Sequence, residues 1–90
     1  TMLDRELTVS NRLGLHARAT AKLVQVLSGF RCNATLSAKG REVNAKSIMG
    51  VMLLAAGQGT VVTVRVDGED EAQAMEAVAA LFERRFDEET

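Results

Sequence analysis

The apolar spacing of this chain predicts an α+β domain in which helices cover one face of a four-stranded antiparallel sheet. Three observations carry that expectation: short segments alternate apolar and polar residues, longer segments repeat apolar residues at helical spacing, and the two patterns interleave as β-α-β-β-α-β-α. Strands with one apolar face need only one covering layer, so the opposite sheet face is expected to stay wet.

The segment "RELTVS" (5–10) reads as the first strand, with Leu7 and Val9 on one side and Glu6, Thr8 and Ser10 on the other. From Ala17 to Leu27 the apolar positions Ala19, Leu23, Val26 and Leu27, followed by Phe30, form the stripe of an amphipathic helix that Gly29 stops. "RCNATLS" (31–37) alternates through Cys32, Ala34 and Leu36, and "AKG" turns it back into "REVNA" (41–45), with Gly40 best able to take a positive φ. "SIMGVMLLAA" (47–56) reads as a short helix with Ser47 as N-cap and Gly57 near its stop. "TVVTVRV" (60–66) alternates through Val62, Val64 and Val66 as a fourth strand. In "DEAQAMEAVAALFERRF" (70–86), Met75, Val78, Ala79, Phe82 and Phe86 share a helical face. An Asp70/Gln73 pair resembling a capping box opens that helix, and Arg84 and Arg85 close it near its negative end. The acidic tail "FDEET" (86–90) is expected to be a frayed, solvated end.

Ninety residues, 47% hydrophobic and without proline, make a single domain (1–90, ordered core about 3–86) with room for one core. A formal net charge of −1 without a Lys/Arg block argues against nucleic acid, as do the absence of Trp and Tyr and the presence of only three Phe. The longest aliphatic run, Val51 to Ala56, is far short of the roughly 18 to 20 residues that cross a bilayer, so a protein that is neither secreted nor inserted in a membrane is expected. Thr1 ahead of Met2 reads as a residue left by processing. One cysteine and one histidine are too few ligands for an enclosed metal site, and no cofactor is called for; Cys32 reads as a small buried hydrophobe.

The only histidine, His16, stands where a glycine-bearing loop meets the first helix. Imidazole can serve as a neutral nucleophile and proton acceptor near neutral pH without special tuning. A helix N-terminus favours negative groups by roughly 0.3 to 1 kcal/mol and offers unpaired N–H groups to an anion. A phosphoryl group on His16 would meet the amides of Ala17 and Arg18, Arg18 could add a charge-assisted contact, and Gly14 would let the loop bend so that the ring faces the helix end. Taken alone, the segment reads more readily as a capping histidine beside a surface arginine.

Its surroundings tip the balance. "LGLHARA" (13–19) resembles the active-site motif of the histidine-containing phosphocarrier (HPr) family of the bacterial phosphoenolpyruvate-dependent phosphotransferase system. "NAKSIMGVMLLAAGQGT" (44–60) resembles that family's second signature, so the likeness runs along nearly the whole chain, and the element order suits the family's open-faced β-sandwich. The resemblance implies a cytoplasmic, monomeric phosphoryl relay with no turnover of its own. His16 would accept phosphate on Nδ1 from phosphorylated enzyme I and pass it to an enzyme IIA component, with Arg18 assisting. Positioning and charge stabilisation dominate such transfers, so little general-base machinery is needed. The sequence departs from the family pattern at Ala19, where many members carry proline.

The resemblance also implies that Ser47 is phosphorylated by an HPr kinase/phosphorylase, although the residue alone reads as a plain N-cap. "IMGVMLLAA" has little polar surface: with Val51 and Leu54 facing inward, Ile48, Met49, Met52 and Leu53 would be left beside the His16 loop as a docking patch for partners, or else would be core. Within the class, the alternative is a nitrogen-branch or mainly regulatory carrier. Outside it, the alternative is a small α+β ligand-binding or interaction module; a metal chaperone of that shape would want a cysteine pair, and an RNA-binding one aromatic strands.

Overall fold

A computed structural model of the chain describes residues 2–88. Its elements follow the expected order: β1 (Met2–Thr8), α1 (Ala17–Ser28), β2 (Asn33–Ala38), β3 (Arg41–Asn44), α2 (Ile48–Leu53), β4 (Val61–Asp67) and α3 (Glu71–Glu83). The strands form one antiparallel sheet in the order β1-β4-β2-β3. Because side chains alternate across a strand, register decides which residues meet on each face. On the covered face Leu3, Arg5 and Leu7 stand opposite Val66, Val64 and Val62, and Ala34 and Leu36 flank Val66 and Val64 from the other side. Leu23 and Leu27 of α1, Val51 of α2 and Val78, Leu81 and Phe82 of α3 close over them. The opposite face is mostly polar, with Met2 and Val61 exposed at its ends; there the Arg65 guanidinium forks onto the Asp4 carboxylate at 2.8 and 3.1 Å and holds it below the usual carboxylate range. This is the open-faced β-sandwich, with its three helices on one side.

Several boundaries differ from the sequence-based expectation. β1 begins at Met2 and ends before Val9, which is buried just beyond it. Gly29 caps α1 at the expected place but with right-handed geometry (φ −78°), its N–H reaching the Val26 and Leu27 carbonyls. The β2–β3 hairpin turns through Lys39 (φ 54°) and Gly40 (φ 78°), the two-positive-φ arrangement that matches strand twist. α2 ends at Leu53 with Leu54 as cap, and the chain leaves it through Ala55 (φ 51°), two residues before the expected glycine.

The expected capping box at Asp70/Gln73 does not form. The Asp70 side chain makes no cap hydrogen bond and instead accepts from the backbone N–H groups of Arg31 (2.8 Å) and Cys32 (2.9 Å), fastening α3 to the entry of β2. Those amides, Arg31 first, hold its carboxyl below the usual range. Glu71 serves the helix start instead, accepting from the Gly68 N–H at 3.0 Å. Cys32 is buried beside Asp70, and burial above all pushes its thiol upward.

The largest departure lies after α3. The helix stops at Glu83, and Arg85, Phe86 and Asp87 all take left-handed φ of 56°, 56° and 63°. Each such residue costs an L-amino acid about 1 to 2 kcal/mol, so the turn needs outside anchors. Phe86 supplies one by burying its ring completely, 4.9 Å from that of Phe82. Lys22 supplies another, donating from Nζ to the Phe86 carbonyl at 2.8 Å and lying 3.5 Å from the Asp87 carboxylate. The expected solvated tail is therefore a docked one as far as Glu88, with Glu89 and Thr90 outside the described residues. Phe86 reaches the core by this turn and not by continuing the helical face.

Candidate functional site

The loop from Asn11 to Leu15 sets the start of α1. Gly14 is buried at φ 68°, and a Cβ there would lie 2.5 Å from the Ala56 carbonyl oxygen and 2.7 Å from Gly57 Cα, so both the bend and the close approach demand glycine. The Leu15 N–H bonds the same Ala56 carbonyl at 2.8 Å, and the Thr20 hydroxyl donates to the Leu15 carbonyl at 3.1 Å. Asn11, buried, donates from Nδ2 to the Gly14 carbonyl at 2.8 Å. These bonds lock the segment that delivers His16.

His16 is the N-cap of α1. Its backbone is extended (φ −79°, ψ −176°), its carbonyl accepts the Thr20 N–H at 2.8 Å, and its Nδ1 accepts the Arg18 N–H at 3.3 Å. An amide can only donate, so Nδ1 carries a lone pair directed at the helix end. The ring proton therefore sits on Nε2, which lies 2.5 Å from Glu88 Oε2. The other Glu88 oxygen accepts from Asn11 Nδ2 at 3.0 Å. The His16 side chain is 27% exposed and that of Glu88 13%.

His16, Ala17 and Arg18 share an open cleft of about 600 Å³ with Leu13, Lys22 and the tail residues Asp87 and Glu88. The expected residues thus come together around the ring, with Gly14 behind the loop and not in the cleft wall. Four contributors were not assigned to the site from the pattern: Asn11, Lys22, Asp87 and Glu88. Only the coincidence of an acidic tail with a lysine on the first helix hinted at them.

The Asn11 amide above all, then the His16 contact and the Arg18 charge, hold the Glu88 carboxyl below its usual range against the opposing cost of burial. A lowered folded value means that this docking contributes stability above the ordinary glutamate value and loses it as pH falls through the lowered one. Acidification should release Glu88 from Asn11. The side-chain amide proton resonances of Asn11, followed from pH 7 to 3, should shift with a midpoint below about 4.3. A midpoint above that value would contradict the anchoring.

α2 packs against α1. Ser47 is half-buried at its N-cap, accepting the Gly50 N–H on Oγ at 3.1 Å. Val51 and Leu54 face the core, whereas Ile48, Met52, Leu53 and especially Met49 (78% exposed) lie on the surface. Leu13, 67% exposed, adds an apolar residue at the edge of the His16 cleft. Among the described residues no group of three or more His, Cys, Asp or Glu side chains is placed to hold a metal ion, and no helix is long and apolar enough to cross a membrane.

Residues 3–84 match the family described as PTS HPr component phosphorylation site. The chain belongs to the HPr family. It is similar to the phosphocarrier protein HPr of Xylella fastidiosa (strain Temecula1), with 73% identity covering 99% of this chain and 100% of that one. A crystal structure of HPr-C-His from Thermoanaerobacter tengcongensis, 40% identical, superposes with a TM-score of 0.94 over 98% of this chain and 99% of that one. A crystal structure of an HPr dimer from the same organism is 41% identical, with a TM-score of 0.78 over 91% of this chain and 94% of that one. HPr proteins are phosphocarriers of the phosphotransferase system, and the match takes in both the His16 loop and the α2 segment.

Proposed function

We propose that this HPr-family protein is phosphorylated on His16 Nδ1 by phosphorylated enzyme I and hands the group to an enzyme IIA component. The observation that carries the reading is the direction of the ring: partly exposed in an open cleft, it turns its unprotonated nitrogen toward the amide that opens α1. Phosphorus bonded to Nδ1 would lie against the first-turn N–H groups of Ala17 and Arg18, with the Arg18 guanidinium within reach for a charge-assisted contact. An exposed helix end holds an anion by about 1 kcal/mol or less, enough to orient the group without trapping it. Such a carrier passes the phosphoryl group on without a stand-alone reaction. Incubation with phosphoenolpyruvate and enzyme I should give an acid-labile, alkali-stable mass gain; no gain in the wild-type protein would remove the reading and leave an interaction module in its place.

The apolar residues Ile48, Met49, Met52 and Leu53 form the surface on which partners dock, methionine adapting to more than one of them. The protein is read as cytoplasmic and as working singly, with that surface kept for partners. Phosphorylation of Ser47 by an HPr kinase/phosphorylase would place about −1.5 to −2 charges at the N-terminus of α2, beside that surface. The helix tolerates the charge locally, so the effect falls on docking. Ser47→Asp should slow phosphorylation by enzyme I on the order of tenfold while leaving the circular dichroism spectrum unchanged. An undiminished rate would remove the regulatory role.

A further inference from the structure

We propose that Glu88, reaching back from the C-terminal tail, is a positioning residue that fixes the tautomer of His16 and offsets the charge the ring acquires when it takes a phosphoryl group. The inference rests on the reading of His16 as the acceptor and deepens it.

The two ring nitrogens are held by groups of opposite kind. On one side a backbone N–H faces Nδ1, and on the other a carboxylate faces Nε2. Neutral imidazole has one proton, and only its placement on Nε2 satisfies both neighbours. The proton is thereby kept off the nitrogen that attacks. A helix-end amide 3.3 Å away is a long and weak director, whereas the 2.5 Å carboxylate contact is short and charge-assisted. The tail therefore does most of the selecting.

Glu88 is itself aimed. Buried Asn11 donates one Nδ2 proton to the loop carbonyl of Gly14 and the other to Glu88 Oε1, leaving Oε2 for the ring. The left-handed turn through Phe86 and the Lys22 bond to the Phe86 carbonyl bring the carboxylate there. A turn held against its conformational preference by a buried ring and an ammonium group is a built arrangement, unlike a loose end that happens to touch the cleft.

During transfer the Nδ1 lone pair forms the N–P bond while the bond from phosphorus to the donor's leaving atom breaks, its electron pair staying with the donor. The Nε2 proton remains, so the ring becomes a cation whose N–H faces the Glu88 carboxylate. When the group moves on, the N–P pair returns to Nδ1 and the ring is neutral again. The carboxylate meets the charge only while it exists, which favours uptake, and it does not cover Nδ1, so the phosphorylated nitrogen stays open to the acceptor.

Substitution by glutamine tests this sharply. In Glu88→Gln the Asn11 N–H still claims the oxygen at 88, which turns the new amide nitrogen, a donor, toward His16 Nε2. That reverses the tautomer and places the ring proton on Nδ1. Nitrogen-15 spectra of the neutral ring at alkaline pH should show the Nε2–H form dominant in wild type, a smaller excess of the same form in Glu88→Ala, where only the Arg18 amide still favours it, and the Nδ1–H form enriched in Glu88→Gln. The initial rate of phosphorylation by enzyme I should fall about tenfold or more in Glu88→Gln and less in Glu88→Ala, with Glu88→Asp recovering part of the loss. Identical tautomer populations in wild type and Glu88→Ala, or an unchanged rate in Glu88→Gln, would overturn the assignment. The tautomer measurement needs no phosphoryl donor, so its failure is separable from a wild-type protein that takes up no phosphate, which would remove the reading of His16 itself.

Discussion

His16→Ala should take up no phosphate from phosphoenolpyruvate and enzyme I while keeping its circular dichroism spectrum. The chain contains one histidine, so no second imidazole can substitute. The nucleophilic nitrogen is held at the α1 terminus by the Arg18 amide, and alanine leaves that amide facing an empty cleft. The structural cost is that of a helix cap, about 1 kcal/mol. For a domain of this size, that corresponds to a melting temperature lower by roughly 4 to 8 °C. Intact folding with complete loss of the mass gain is therefore the expected pair of results. An acid-labile phosphate persisting in the alanine variant would place the acceptor elsewhere.

Gly14→Ala should strike stability hardest for the smallest change in chemistry. The position combines a left-handed backbone with a Cβ direction blocked by the backbone of Ala56 and Gly57. The first costs about 1 to 2 kcal/mol, and the second forces a shift worth roughly as much again, because carbonyl and Cα atoms cannot swing aside like a side-chain tip. A loss of roughly 3 kcal/mol, seen as a fall in melting temperature on the order of 15 °C, is expected in thermal unfolding followed by circular dichroism. An unchanged midpoint would show that the loop adapts. Because Leu15 and His16 follow directly, the strain would also misplace the ring, so phosphoryl uptake should fall in the fraction that remains folded.

Much of this was legible in the sequence where local pattern and tertiary packing agree. Val62, Val64 and Val66 alternate because one sheet face is covered and the other is wet, and Leu23 and Leu27 fall on one helical stripe because that stripe lies on the sheet. Ser47 capped its helix as its chemistry suggests. The failures share a cause, which is a polar group spent on a distant partner. Asp70 has the residue type and position of a cap, yet its carboxylate serves the amides of Arg31 and Cys32, nearly forty residues away in the chain. The tail was harder still: Arg85, Phe86 and Asp87 have no glycine or asparagine to announce a left-handed turn. Within the site, His16 and Arg18 were readable because they lie two residues apart at the helix start. Asn11 and Glu88 were not, since the bond between them spans the full domain.

The buried thiol of Cys32 turns the molecule into its own stopwatch. It is the sole sulfhydryl in the chain, it is sealed under the start of α3, and burial suppresses the thiolate that alkylating reagents require. Labelling must then wait for the protein to open, so the rate of covalent capture meters transient exposure without any engineered probe. The same vial could rank Gly14, His16 and Glu88 variants by how often each one gapes.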